Sequence, residues 1–497
     1  MVSRRAVGMG LLVALVLTAC SGSSPSSGPT TTSPSDPTTT TSTTVAPSTT
    51  TTVPLPPATP VEWRSCGRGF DCARVTVPVD YRDPRQGTLE LALVRRPASD
   101  PARRIGTLLV NPGGPGASGV RRVRRGFTVS PEVAARFDIV GFDPRGVGDS
   151  TPVSCGGSVA AFRATDLDPD SAAESDELAA AARAVAEECA TTEGARLGHL
   201  GTWEVLHDVE MIRRAIGEER VSFVGLSYGT LIGLLWAEAY PASVRALVLD
   251  GVVDPAAGGE TSSLAQVEAI EATLGEIDAA CAAEAACPVA GAGGVLAAYD
   301  ELAQRLDAGA LSDPRVGPTQ LAYAAFSATY GPDRWPLLWK ALAQGLDGDL
   351  DGVADMSSWF TALVSYPPFA IVSCLDTAHP VGFEAWQREG DTAARRSPRF
   401  GRMASNELLP CAFWPASTYT PHRVRAPGTP PVLVVGSTGD AATPYEQAVT
   451  VARTLERGVL LTAEVEGHVA LGDSQCVDAA VTRYLVDLAT PSPSARC

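Results

Sequence analysis

Short apolar runs alternate with helical segments along much of this chain, which is the pattern of a mostly parallel α/β sheet. Turn-forming residues lie at both ends of each apolar run, and they mark where strands end and connections begin. We expect the first two strands to form an antiparallel edge and a last helix to lie near 477–488. The predicted strands are 75–79, 89–95, 105–111, 137–142, 221–225, 246–249, 432–436 and 459–463.

The strand rhythm stops between residue 254 and about residue 427. Alanine-rich segments with helical periodicity take over there, for example at 263–286 and 335–346. Because strands resume afterwards, we predict a helical cap inserted between two strands of one α/β core. The core would comprise residues 61–254 and 428–497, and the cap residues 255–427.

The N-terminus has the pattern of an export signal. Arg4 and Arg5 precede an apolar run at 6–17 that is too short for a permanent membrane span. The run ends in Leu-Thr-Ala-Cys, which resembles the lipobox of bacterial lipoproteins, so we predict a signal peptide at 1–19 and a lipid on Cys20. An ordinary signal peptide and a twin-arginine signal are the alternatives. The expected location is outside the cytoplasm, anchored to the bacterial cell membrane.

Residues 20–60 are rich in Ser, Thr and Pro, and Asp36 carries the only charge after Cys20. Such a composition buries little apolar surface and favours a disordered or polyproline-like tether. Its predicted role is to hold the folded part away from the membrane.

Net charge and cysteine content bear on the partners of this protein and on the compartment in which it folds. The formal charge of −17 argues against nucleic acid as a partner. Eleven cysteines fit an oxidising compartment, and without Cys20 ten remain. Sequence does not determine their connectivity, but pairing between neighbours is the preferred interpretation: Cys66 with Cys72, Cys155 with Cys189, Cys281 with Cys287, Cys374 with Cys411, and Cys476 with Cys497.

Metal sites are not expected. The cysteine spacing lacks the paired Cys-x-x-Cys ligands of a zinc site. The segment Asp-Gly-Asp-Leu-Asp-Gly at 347–352 suggests a calcium loop, but its twelfth position is Ser358 rather than glutamate. An acidic loop between two helices explains it better, and no cofactor is predicted.

The segment Gly225-Leu-Ser-Tyr-Gly229 lies between a predicted strand and a predicted helix. In that context Gly-x-Ser-x-Gly is typical of a nucleophile elbow. The turn is so tight that the residues two before and two after the serine must be small, which Gly225 and Gly229 satisfy. Ser227 is therefore the predicted nucleophile.

A serine nucleophile needs a base and an acid that orients the base. His468 follows a late strand and precedes the last helix, and Asp440 follows the preceding strand, which is the expected order along the chain. His207 is predicted on a helix surface. Asp473 and Asp478 lie nearer to His468, but a helix start or surface position explains them more simply.

The loop Gly113-Gly-Pro-Gly116 follows the strand that commonly supplies the second amide of an oxyanion hole. We predict that the amides of Gly114 and Tyr228 form this site. A phosphate-binding loop is disfavoured because the Lys-Ser/Thr ending is missing.

Several motifs in order resemble the tripeptidyl-aminopeptidase-like family, which comprises exported serine peptidases related to proline iminopeptidases. These motifs begin at Asn111 (Asn-Pro-Gly-Gly-Pro-Gly), Asp143 (Asp-Pro-Arg-Gly-Val-Gly), Gly225, Tyr240 (Tyr-Pro-Ala-Ser-Val-Arg) and Leu249 (Leu-Asp-Gly-Val-Val-Asp-Pro). The similarity runs from about residue 63 to residue 497. Proline iminopeptidases carry histidine at the position of Asn111, so that subfamily's specificity is not transferred.

The resemblance implies an α/β-hydrolase fold and release of short peptides, such as tripeptides, from free N-termini. Such an enzyme needs a carboxylate for the substrate's ammonium group, and Asp376 is the candidate, with a salt bridge in the cap or a surface turn as the alternative. An exported carboxylesterase or lipase on the same fold is the nearest alternative function. A non-catalytic peptide-binding lipoprotein is the alternative from another class.

Overall fold

The computed structural model of the protein describes residues 53–127, 129–414 and 420–497. The predicted signal peptide, Cys20 and most of the predicted tether lie outside these residues. The strands are β1 Arg64–Ser65, β2 Asp71–Pro78, β3 Thr88–Arg96, β4 Gly106–Asn111, β5 Phe137–Phe142, β6 Val221–Leu226, β7 Val244–Asp250, β8 Val432–Gly439, β9 Gly458–Glu466 and β10 Ala495–Arg496.

The α-helices of the first half of the chain are α1 Gly119–Arg124, α2 Pro131–Arg136, α3 Ser158–Ala164, α4 Ala172–Glu193, α5 Thr202–Ala215, α6 Tyr228–Ala239 and α7 Gly259–Ala283. Those of the second half are α8 Val295–Asp307, α9 Pro318–Ala328, α10 Trp335–Leu346, α11 Asp351–Thr361, α12 Tyr366–Asp376, α13 Phe383–Arg396, α14 Gly401–Asn406, α15 Tyr445–Thr454 and α16 Gln475–Asp487.

Within the described residues the ten strands form one sheet, in the order β1-β2-β3-β5-β4-β6-β7-β8-β9-β10. Strands β1, β2, β3 and β5 pair antiparallel, which confirms the predicted antiparallel edge. All pairs from β5 to β10 are parallel. The mostly parallel α/β fold predicted from the strand rhythm is therefore confirmed.

Helices cover both faces of this sheet. Side chains of α5, α6 and α15 share one hydrophobic cluster with the strands, and those of α1, α2 and α16 share another. Alternate strand residues point to opposite faces: Phe223 of β6 belongs to the first cluster and Val224 to the second. Burial on both faces explains why the central strands are continuous apolar runs.

Helices α7 to α14 lie between β7 and β8 along the chain and share a third hydrophobic cluster, which forms the cap. Helices α3 and α4 belong to the same cluster, through residues such as Phe162 and Leu178. The predicted first part of the core, residues 61–254, includes these two helices, whereas their side chains pack with those of the cap. An amphipathic alanine-rich helix shows that one side is buried but not against which partner.

The five disulfide bonds confirm pairing between neighbours: Cys66–Cys72, Cys155–Cys189, Cys281–Cys287, Cys374–Cys411 and Cys476–Cys497. Three of them lie in the hydrophobic cluster of the cap. Cys155–Cys189 joins the segment before α3 to α4, Cys281–Cys287 joins α7 to the chain that follows it, and Cys374–Cys411 joins α12 to the chain after α14.

The predicted tether ends earlier than residue 60. Val53, Leu55 and Ala58 are partly buried against the cluster that holds α5 and α6. The prolines among them keep this segment extended, so its few apolar side chains reach the surface of the core. Among the described residues no single helix is long and apolar enough to cross a membrane, and α11 with α12, bent by 54°, fits only as a pair judged by length and composition.

Candidate active site

Ser227 occupies the turn between β6 and α6, with φ 55° and ψ −133°. A side chain rarely adopts this backbone conformation, so the surrounding residues must hold it. A Cβ at Gly225 would lie 2.4 Å from the carbonyl oxygen of Gly229, and a Cβ at Gly229 would lie 2.5 Å from that of Asn111. Both positions therefore require glycine, as the elbow interpretation predicted.

Hydrogen bonds hold the nucleophile's backbone on both sides. The amide of Ser227 donates to the carbonyl oxygen of Asp250 at 2.9 Å. The carbonyl oxygen of Ser227 accepts from the hydroxyl of Thr230 at 2.6 Å. The hydroxyl of Ser227 is thus presented at the carboxyl edge of the sheet, where α/β proteins place their ligands.

His468 and Asp440 form a buried pair at the same edge. Nδ1 of His468 lies 2.9 Å and 3.0 Å from the two carboxylate oxygens of Asp440. The carboxylate also accepts the amides of Ala442 and Thr443 and the hydroxyl of Thr443. These bonds fix its orientation, which places the proton of the imidazole on Nδ1 and makes Nε2 the basic nitrogen.

Electrostatics favour a protonated imidazole at His468. Burial lowers the pKa of this group, but the charge and hydrogen bond of Asp440 outweigh burial, and the pKa lies above its ordinary value of 6.5. Only 7% of the His468 side chain is exposed. A base held in this way accepts a proton readily when a serine hydroxyl is deprotonated.

Asp250 is a buried carboxylate that the site prediction did not include. Its carboxylate accepts the amides of Ala470 and Leu471, which directly follow the histidine loop. Burial raises its pKa to about 7, although both amides oppose the shift. The sequence marked Asp250 only as part of the Leu-Asp-Gly motif at the end of β7. A carboxylate that binds the backbone of a distant loop does not occur at a fixed spacing from that loop, so its role could not be predicted.

The predicted oxyanion loop lies against the elbow. A Cβ at Gly113 would lie 2.4 Å from the carbonyl oxygen of Leu226 and 2.8 Å from the amide nitrogen of Tyr228. The side-chain oxygen of Asn111 accepts the amide of Gly113 at 2.9 Å. Gly114 and Tyr228, the first residue of α6, line the cavity that Ser227 lines. The structure thus brings both predicted amides close to the nucleophile's turn.

Asp376 does not take the predicted position in the binding cavity. Its carboxylate accepts the amide of Thr202 at 2.9 Å, at the first turn of α5, and the hydroxyl of Tyr228 at 3.1 Å. It is not among the residues that line the cavity. The carboxylate at the end of α12 instead caps α5 and orients the Tyr228 ring, so its predicted ammonium-binding role is not supported. Helix capping by a residue distant in the chain leaves no sequence pattern.

A cavity of about 1220 Å³ lies between the sheet edge and the cap, and both Ser227 and His468 line it. Its cap side is aromatic, with Tyr323, Phe326, Tyr330, Trp359, Phe360, Tyr366, Phe369 and Trp386. Its carboxylates are Asp333, Glu389, Glu407, Glu466 and Asp473. Its arginines are Arg121, Arg122, Arg125, Arg163 and Arg334. A pocket of this size and composition accommodates a short peptide.

His207 differs from its prediction. It is buried in α5 rather than on a helix surface, with Nδ1 2.6 Å from the hydroxyl of Tyr240. Burial lowers its pKa to about 4, so it is neutral in the core.

In the described residues no group of three or more His, Cys, Asp or Glu side chains is arranged to hold a metal ion. The acidic segment at 347–352 joins α10 to α11.

Known proteins resemble this chain over most of its length. The profile of the alpha/beta hydrolase fold matches residues 106–293, and that of the family described as TAP-like protein matches residues 397–497. Serine protease Hip1 of Mycobacterium tuberculosis is 34% identical over 484 residues, covering 88% of this chain and 91% of that protein. Carboxylesterase B of the same species is 34% identical over 478 residues, with 88% and 89% covered. Tripeptidyl aminopeptidase of Streptomyces lividans is 32% identical over 466 residues, with 88% and 86% covered.

Hydrolysis should depend on the ionisation of His468. Because the imidazole must be neutral to act as a base, we expect kcat/KM to fall as the pH drops through a pKa above 6.5. Asp440→Asn should lower kcat about 10⁴-fold and move this limb to lower pH, since the stabilising charge is lost. The measurement is a pH–rate profile of each purified variant.

Asp478→Asn is the matched control, because Asp478, like Asp440, accepts a backbone amide, here that of Gly472, but does not contact His468. It should retain the parent profile. An Asp440→Asn enzyme with parent activity would show that another residue serves as the acid.

Proposed function

Because the chain belongs to the tripeptidyl-aminopeptidase-like family of α/β-hydrolases, we propose that it is a serine peptidase that removes short peptides from free N-termini. The fold and the relatives identify a serine hydrolase. One observation carries the assignment of the nucleophile: Ser227 stands in a left-handed turn and shares a cavity with His468, whose Nδ1 faces Asp440.

In the proposed mechanism, Oγ of Ser227 attacks the scissile carbonyl carbon while Nε2 of His468 takes the hydroxyl proton. Asp440 keeps the imidazole oriented and stabilises its charge. The amides of Gly114 and Tyr228 donate to the oxyanion that develops on the carbonyl oxygen. His468 then gives its proton to the leaving amine, and water hydrolyses the acyl-enzyme by the same base.

Recognition of a free N-terminus requires a carboxylate inside the cavity, and Glu407 is the proposed one. Among the carboxylates of the lining, Asp333, Glu466 and Asp473 are exposed, whereas Glu389 and Glu407 are half-buried. Glu407 is preferred to Glu389 because the hydroxyls of Tyr323 and Tyr366 bind its side chain and its backbone, which holds it among aromatic rings of the cap. The hydroxyl of Tyr323 donates to its carboxylate. Burial raises the pKa of Glu407, and this is only partly offset by Arg163 and Tyr323. A substrate ammonium group would therefore stabilise the ionised carboxylate.

Carboxylesterase activity is the second candidate, because a relative named carboxylesterase B resembles the chain as closely as the serine protease does. Triad and oxyanion hole serve esters and amides alike. Comparing aminoacyl anilides with short acyl esters separates the two. Turnover of esters together with inactivity on every anilide and peptide would favour the esterase.

Ser227→Ala should abolish activity on anilides and peptides and should prevent covalent labelling by a fluorophosphonate, because both require the Oγ nucleophile. We expect kcat to fall by about 10⁶-fold, as in other serine peptidases that lose the nucleophile. The experiment compares labelling by intact-protein mass spectrometry. Ser222→Ala is the control, since Ser222 lies buried in β6, outside the cavity lining. Undiminished labelling of Ser227→Ala would reject the assignment.

Glu407→Gln should raise KM for peptides with a free N-terminus and leave N-acetylated analogues unaffected. Loss of one hydrogen bond between charged groups predicts a decrease of about 10- to 100-fold in kcat/KM. Glu466→Gln is the matched control, since Glu466 lines the same cavity but is exposed. An equal preference for free over acetylated peptides in the parent and in Glu407→Gln would assign the ammonium site elsewhere.

Localisation is part of the proposal, and its support is the apolar run that ends in Leu-Thr-Ala-Cys before the Ser/Thr/Pro-rich segment. We propose that Cys20 is lipidated and anchors the protein to the bacterial membrane from outside. Cys20→Ser should move the full-length protein from the membrane fraction to the medium or the soluble fraction. Membrane retention of Cys20→Ser, with no lipid on the parent by mass spectrometry, would contradict the anchor.

A further inference from the structure

Three arginines line the cavity next to the oxyanion loop. Arg121 and Arg122 belong to α1, and Arg125 is the residue that ends this helix. They line the same cavity as Gly114 and Ser227. Because α1 starts at Gly119, directly after the loop that carries Gly114, these arginines lie on the oxyanion-loop side of that cavity.

These side chains are exposed and not engaged in ion pairs. Among the described residues, no carboxylate lies within 4.0 Å of the guanidinium group of Arg121, Arg122 or Arg125. Arg124 of the same helix differs, because it contacts both sulfur atoms of the disulfide Cys66–Cys72. The three arginines thus form a positive rim on a chain of net charge −17.

Asp473 lines the cavity with the rim and attracts Arg122, but its carboxylate lies more than 4.0 Å from that guanidinium group. Partial burial lowers the pKa of Arg122, and the charge of Asp473 opposes this only in part. Asp473 and Asp333 interact unfavourably with each other, and burial together with this repulsion raises the pKa of Asp473. Both carboxylates are exposed and screened by water.

The rim and the proposed ammonium site differ in their surroundings. Glu407 is half-buried among aromatic rings of the cap, whereas the rim consists of exposed side chains of the core. A peptide held at Glu407 under the cap, with its scissile bond at Ser227, has its leaving side free to extend to the rim, which lines the same cavity.

We propose that Arg121, Arg122 and Arg125 bind a carboxylate on the leaving-group side of the substrate, so that the enzyme prefers peptides with an acidic residue just after the scissile bond. This rests on the proposed peptidase function. Guanidinium groups suit carboxylates because they donate two parallel hydrogen bonds. A cluster of like charges on one side of a cavity also attracts an oppositely charged part of the substrate to that side.

The experiment uses the protein of 497 residues and two peptides with free N-termini that differ only in Glu or Gln at the first leaving-side residue. Mass spectrometry locates the bond that is cut. We expect kcat/KM to favour the Glu peptide about five-fold at low ionic strength, as a few partly exposed charge contacts allow. The preference should shrink at high salt, where the Debye length is about 3 Å.

The double variant Arg121→Gln/Arg125→Gln should reduce the Glu-to-Gln preference to about one-fold, since most of the rim charge is lost. The ratio of two substrates on one enzyme cancels any general loss of folded protein. Arg453→Gln, an exposed arginine on α15 outside the cavity lining, is the control and should keep the preference. An equal preference in parent and double variant, or none in the parent, would overturn the inference.

A failure of the peptidase function gives a different result. In that case neither peptide is cut, and the same comparison uses acyl esters whose leaving phenol carries a carboxylate or a carboxamide. Preference for the carboxylate ester, lost in the double variant, would support the rim while rejecting the peptidase. Equal rates on both esters would reject the rim as well.

Discussion

The left-handed backbone at Ser227 is the constraint on which the site depends. Such a conformation costs a non-glycine residue about 1–3 kcal/mol, so it persists only where the surroundings hold it. Here β6 enters the turn and α6 leaves it with backbones in close contact, which only Gly225 and Gly229 permit. The amide of Ser227 is held by Asp250 of the adjacent strand β7. The position of the nucleophile is thus fixed by the sheet itself.

Two buried aspartates hold the neighbouring loops in place through hydrogen bonds. Asp250 binds the nucleophile through its carbonyl and the chain after His468 through its carboxylate. Asp143, after β5, accepts the hydroxyl of Ser118 at 2.6 Å and the amide of Val120 at 3.0 Å. It therefore holds the start of α1, just after the oxyanion loop. Loss of either carboxylate would leave buried amides without partners, which is costly.

The Asp-Pro-Arg motif also contributes a buried ion pair. Arg145 is fully buried and donates to Asp208 of α5 at 2.6 Å and 2.8 Å. Its remaining donors reach the carbonyl oxygens of Pro78, Val79 and His199. Removing only one partner of such a buried pair is strongly destabilising, because the other charge is left buried without compensation. Here the pair joins the antiparallel edge of the sheet to the helix that Asp376 caps.

The parts of the site that could be predicted from sequence have local signals. Ser227 lies in a strand–turn–helix segment, and Asp440 and His468 follow strand ends, so backbone pattern alone brings them to one edge of the sheet. Asp376 had no such signal. Its partner, Thr202, is 174 residues away, and which surface a cap helix covers is decided by packing. For the same reason the sequence did not show that α3 and α4 pack with the cap.

The proposed binding mode places opposite charges at the two ends of the substrate, Glu407 of the cap and the arginines of α1, and this has a consequence for orientation. A peptide with a free N-terminus has its positive charge at one end, and Glu407 offers a half-buried negative charge under the cap. The exposed arginines of α1 offer positive charge elsewhere in the same cavity. A substrate bound backwards would place its ammonium group against three guanidinium groups and its carboxylate against Glu407. Repulsion at both ends would disfavour that arrangement, so direction of binding follows from charge even before any side-chain pocket is filled.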